Sequence, residues 1–95
     1  MMHKLDLLTP DASTSGVFEV IFEDSSVMTV AFSPGYPMLV QRFPVSGQDG
    51  SWLDGASAEF SSLPPFIVGE PVTLGDARGM FRSPPITWIV ELDGE

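Results

Sequence analysis

Ninety-five residues, 43% hydrophobic and 18% charged, describe one globular domain (residues 1–95) with a modest core rather than a disordered chain. Thirteen acids against four bases give a net charge of −9, which argues against direct contact with nucleic acid or an anionic membrane, since both need clustered Lys and Arg. The lack of Cys removes disulfides and thiolate chemistry, and no apolar run reaches the roughly 20 residues that span a bilayer as a helix.

Residues 1–8 place Leu5, Leu7 and Leu8 around Asp6 and read as a short first strand. No long apolar core follows the charged start, so no secretory leader is expected and the cytoplasm is the expected location. Residues 9–16 are a loop by composition. Within them Thr9 or Asp11 is placed to cap a single helical turn that begins at Pro10.

Residues 17–32 organise the chain. Two arms rich in β-branched and aromatic residues flank Asp24-Ser25-Ser26, the pattern of a hairpin. A three-residue loop, Asp24 to Ser26, pairs Phe22 with Met28, Val20 with Val30 and Phe18 with Phe32. One face is then wholly apolar, and Glu19, Glu23 and Thr29 lie on the other. A two-residue loop turns Met28, Val30 and Phe32 to water, at about 1.5–3 kcal/mol each. A non-Gly residue in a left-handed turn costs only about 1–2 kcal/mol, so burial selects the three-residue loop.

Ser33-Pro34-Gly35-Tyr36 carries the type II turn signature, Pro second and Gly third. A third strand follows over residues 38–45, with Met38 and Val40 on one face and Leu39 on the other. Pro44 cannot donate to a ladder, so the strand ends there or lies at an edge. Residues 46–62 are broken by Gly47, Gly50 and Gly55. Trp52 and Leu53 are candidate anchors in that region, and residues 57–60 read as a short strand or one helical turn. Leu63-Pro64-Pro65 is an extended bridge.

Residues 66–74 read as two short strands around a tight turn, or as one strand with a bulge at Gly69. The Gly69-Glu70-Pro71-Val72 step resembles the turn and strand that recur in small SH3-like barrels, but a stretch this short defines no family. Residues 75–85 read as a loop. Residues 86–92 are the last strand, with Ile86, Trp88, Val90 and Leu92 on one face, which places Trp88 in the core. Together these features predict a mainly β fold: a small antiparallel sandwich or a partly open SH3-like barrel of five to seven short strands, with little or no helix.

The residues offer little chemistry. The single His, His3, has no partner pattern for nucleophilic catalysis, and no Gly-x-Ser-x-Gly turn exists. Asp49 and Asp54 lack the alternating acids and terminal Glu of a calcium loop, and residues 75–79 lack the Lys of a phosphate loop. No catalytic residue, cofactor or metal is expected.

The expected function is a non-enzymatic, acidic protein-binding module whose protein partner has a basic surface. Glu19, Glu23 and Asp24 are the acidic candidates; Glu19 and Glu23 would stand about 13 Å apart along one strand. Trp52, Arg78 and Phe81 are the loop candidates, and Tyr36 and Trp88 have the amphipathic rings that favour interfaces. In size and charge the chain is similar to small phage-encoded inhibitors, many anti-CRISPR proteins among them, that act as DNA mimics on a nucleic-acid-binding surface. The alternative is a structural or assembly subunit of a phage or secretion particle.

Overall fold

A computed structural model describes residues 2–11, 13–44, 57–76 and 79–92. These residues form ten strands and no helix: β1 (Met2–Leu5), β2 (Leu7–Leu8), β3 (Gly16–Phe22), β4 (Val27–Phe32), β5 (Met38–Phe43), β6 (Ala58–Phe60), β7 (Phe66–Ile67), β8 (Thr73–Asp76), β9 (Gly79–Arg82) and β10 (Ile86–Leu92). Six of them make one antiparallel sheet in the order β1-β10-β3-β4-β5-β6, while β2 pairs with β7 and β8 with β9. The fold is a small all-β globule, in keeping with the expected sandwich or open barrel. The strand number exceeds the expected five to seven because two-residue pieces and a second hairpin add to it.

The core lies on one side of the large sheet. Strand alternation sends Phe18, Val20 and Phe22 inward from β3, Met28, Val30 and Phe32 from β4, and Met38 and Val40 from β5. Leu8, Leu63, Phe66, Val72 and Leu74 close the same cluster from the smaller pieces. Phe18 and Phe32 meet edge to face, with ring centroids 5.6 Å apart. Ser83 extends the β8–β9 hairpin by one pair. Its Oγ accepts from the Val72 N–H at 2.8 Å and donates to the Pro84 carbonyl at 2.7 Å.

The hairpin faces are as expected, but the register is not. Val20 lies opposite Met28, Phe18 opposite Val30 and Gly16 opposite Phe32. The loop is still three residues long, but it is Glu23 to Ser25. The Ser25 N–H donates to the Phe22 carbonyl at 2.9 Å, and the Phe22 N–H to the Ser26 carbonyl at 3.0 Å. Ser25 takes the left-handed conformation, φ 73°. Asp24 Oδ1 accepts from the Ser26 N–H at 3.0 Å and from its Oγ at 2.6 Å, which braces the turn. The shift is two residues, so every side chain keeps its face and burial does not discriminate between the registers. Turn chemistry decides.

Trp88 is not in the core. The β10 register against β3 slips between Ile86 and Trp88, so Ile86 and then Ile89 point inward. Trp88 is 44% exposed, Val90 is half-buried, and Ile89 is fully buried. A bulge sets two residues against one and so inverts the alternation beyond it.

Other expectations change in detail. No helix begins at Pro10 among the described residues; Asp11 instead accepts from the Thr14 N–H through its carbonyl at 3.1 Å. The Pro34-Gly35 turn is as read, with Gly35 at φ 85° and the Tyr36 N–H bonded to the Ser33 carbonyl at 3.0 Å. β5 ends at Phe43, just before Pro44, and the 57–60 segment is a strand at β6. The stretch read as a loop over residues 75–85 contains most of the β8–β9 hairpin, with Leu74 opposite Phe81 and Gly75 opposite Met80. A Cβ at Gly75 would meet the Met80 thioether, so the glycine makes room for that side chain.

Candidate functional site

A cleft lies where β4 hands over to β5. The turn at residues 33–36 is fixed by Pro34 and by Gly35, which alone tolerates the positive φ without strain. It holds Tyr36 out from the body with 75% of its surface exposed. Beneath it the cleft, of about 540 Å³, is walled by Phe32, Met38 and Phe60, with Asp11, Thr14 and Glu59 at its polar side. Phe60 sits opposite Met38 across the β5–β6 ladder. A second, smaller cleft of about 390 Å³ lies on the other side of the same turn and shares Ser33, Tyr36, Pro37 and Glu59.

The cleft is acidic and aromatic, and none of its described lining residues is basic. Asp11 Oδ1 accepts from the Ser13 Oγ at 2.7 Å, the Ser13 N–H at 2.8 Å and the Thr14 Oγ1 at 3.3 Å. The bonds from the Ser13 side chain and backbone hold its carboxyl below the usual aspartate range. Asp11 is therefore ionised at neutral pH. Glu59 is exposed on β6 and opposes Leu39. An exposed phenol ring beside carboxylates suits a cation: the ring face attracts it and a carboxylate pairs with it.

The acidic residues singled out from the sequence lie elsewhere. Glu19 is half-buried on the outer sheet face, between Val90 and Thr29. Glu23 is past the end of β3, exposed in the turn, with its N–H bonded to the Pro85 carbonyl at 3.0 Å. The two do not stand in one strand row. Asp24 is occupied within the turn. This tip and the Tyr36 cleft lie at opposite ends of β4, which at about 3.3 Å per residue is roughly 20 Å.

Phe81 is half-buried against the core, and the guanidinium of Arg42 lies 5.0 Å from its ring. Arg42 itself is only 5% exposed, so one of the four bases is withdrawn from the surface. Trp52 and Arg78 lie outside the described residues. Among the described residues, no three His, Asp or Glu gather closely enough to hold a metal ion, and no helix is long and apolar enough to cross a membrane.

The cleft escaped the sequence reading because Asp11, Tyr36 and Glu59 come from three separate segments. One local signal existed: a tyrosine in a Pro-Gly turn is held away from any core. No protein-family model, curated protein or solved structure matches this chain.

Proposed function

We propose that the chain is a non-enzymatic binding module for a protein partner with a basic surface, and that the Tyr36 cleft receives a Lys or Arg side chain of that partner. The observation that carries this is the lining itself: an exposed tyrosine with Asp11 and Glu59 and, among the described lining residues, no base. A guanidinium fits best, because its plane stacks on the ring while its N–H groups reach a carboxylate. The surrounding charge of −9 adds long-range attraction and speeds encounter. A partner whose basic surface ordinarily holds nucleic acid is the natural class, which makes the module an inhibitor of such a surface.

The test is binding of an arginine-rich peptide, followed by fluorescence anisotropy at low and high salt. Binding is expected to weaken as salt rises. Tyr36→Ala is expected to weaken it about two- to fivefold, the range for an exposed cation–π contact, and Glu59→Lys further. Equal binding by both variants and the parent, or no response to salt, would remove the cleft from the function. A subunit of a larger particle is the competing reading, favoured by the apolar residues Trp88, Phe43 and Leu39 exposed on the outer face of the large sheet. A ring or higher assembly in solution would support it.

A further inference from the structure

The side of the large sheet that faces away from the core carries two mainly apolar rows with a mostly polar row between them. Ladder pairing aligns its outward side chains in three rows. One row runs Trp88, Ile21, Val27, Phe43 across β10, β3, β4 and β5. The middle row runs Lys4, Val90, Glu19, Thr29, Gln41. The third runs Leu92, Val17, Ala31, Leu39, Glu59. Trp88 is 44%, Phe43 48% and Leu39 38% exposed. Patches of this kind on a monomer mark interaction surfaces.

We infer that this face is the interface of a symmetric dimer, with a second copy of the same chain stacked on it sheet to sheet. The first reason is charge. In a molecule of net charge −9, the only described charges in these rows are Lys4, Glu19 and Glu59. Two copies meet here with less repulsion than through the acidic loops. The second reason is symmetry. The face has three strands on each side of its midline between β3 and β4. A twofold axis along that midline lays each row over itself in reverse. Trp88 then faces Phe43 of the second copy, Ile21 faces Val27, Leu92 faces Leu39, and Val17 faces Ala31. In the two outer rows apolar residues cover apolar ones; in the middle row Glu19 faces the hydroxyl of Thr29 and Val90 faces Gln41.

The other in-plane axis, across the strands, sets Glu19 over Glu19 and Lys4 over Lys4, an arrangement that like charges oppose. The pattern therefore chooses the axis along the strands, with the two sheets aligned within about 30° as in sandwiches. Five strand spacings make the face about 24 Å wide, and three rows two residues apart make it about 13 Å long. The flat footprint, roughly 300 Å² before side-chain relief, lies well below the roughly 800 Å² per partner of a standard interface. The dimer is accordingly expected to dissociate on dilution.

The test is sedimentation equilibrium of the full chain from micromolar to millimolar concentration. A monomer–dimer equilibrium is expected. Phe43→Glu should weaken it at least tenfold with an unchanged circular dichroism spectrum, whereas Met80→Glu, on an exposed side chain outside these rows, should not. The chain has no Cys, so a mixture of Leu92→Cys and Leu39→Cys copies, which this axis sets face to face while like positions stay about three strand spacings (roughly 14 Å) apart sideways, treated with a short bismaleimide, reads the axis directly. Mixed cross-linking well above that of either variant alone is expected. A monomer at every concentration, a ring or larger assembly, a dimer unmoved by Phe43→Glu, or equal cross-linking in all mixtures would overturn the proposal.

Discussion

The ammonium of Lys4 lies over the ring of Trp88, 3.8 Å from its centroid. The two residues stand on β1 and β10, neighbouring strands, and both side chains are on the outer face. The lysine covers part of a tryptophan that the bulge has turned out of the core. An exposed cation–π contact contributes about 0.5–1 kcal/mol. Lys4→Ala is expected to cost about that much in urea unfolding. Ile89→Ala, at the fully buried position beside the bulge, should cost about 2–5 kcal/mol. Trp88→Ala should fall clearly below Ile89→Ala; the reverse order would mean that Trp88 carries the core.

The hairpin turn gives a second expectation. Asp24 braces Ser26 through two hydrogen bonds to one carboxylate oxygen, much as a capping side chain serves a helix start. Asp24→Ala should destabilise by about 0.5–2 kcal/mol. Ser25 holds a positive φ, so Ser25→Gly should be neutral or stabilising by up to about 1 kcal/mol. If the loop instead ran from Asp24 to Ser26, Ser26→Gly would stabilise and Ser25→Gly would not. Denaturant midpoints of the three variants distinguish the registers.

Asp11 supplies a pH dependence of known sign. Hydrogen bonds from Ser13 lower its carboxyl in the folded chain, so the unfolded chain binds that proton more readily. Its contribution to stability is present above the unfolded value, about 3.9, and is lost as pH falls through the lower folded value. The difference in unfolding midpoint between the parent and Asp11→Asn is expected to be larger at pH 6 than at pH 2.5. A difference that did not shrink in acid would show that the carboxylate charge plays no part.

Phe81 and Met80 are adjacent on β9 and should behave in opposite ways. Phe81 packs on the core beside Arg42, so Phe81→Ala should cost about 1–3 kcal/mol, less than the 3–5 of a fully buried phenylalanine. Met80 is 72% exposed, and Met80→Ala should stay within about 0.5 kcal/mol of the parent. A Phe81→Ala variant of parental stability but impaired binding would restore Phe81 as a recognition residue.

What the sequence disclosed follows from periodicity. A period of two separates faces, and Phe18, Val20, Phe22, Met28, Val30 and Phe32 all lie on the buried side as expected. The same period is blind to a shift of two residues, which is how the hairpin register escaped it. It is also blind to a bulge, which exchanged Trp88 for Ile89. The β8–β9 hairpin has glycines where alternating apolar residues would have announced it. The cleft is assembled from positions 11, 36 and 59, and nothing local connects them.

The pairing of β1 with β10 has a consequence for chain topology. Met2 is the ladder partner of Leu92, so the first and last described strands start and finish side by side, running in opposite directions. A linker of a few residues joining the ends would close the backbone into a circle without crossing the sheet, and it would remove entropy from the unfolded ensemble. Tension applied at the same two points would peel the β1–β10 ladder one pair at a time rather than load all its bonds together, because antiparallel ladder bonds lie across the strands. Cyclisation should therefore protect this protein most against the opening that pulling on its ends promotes.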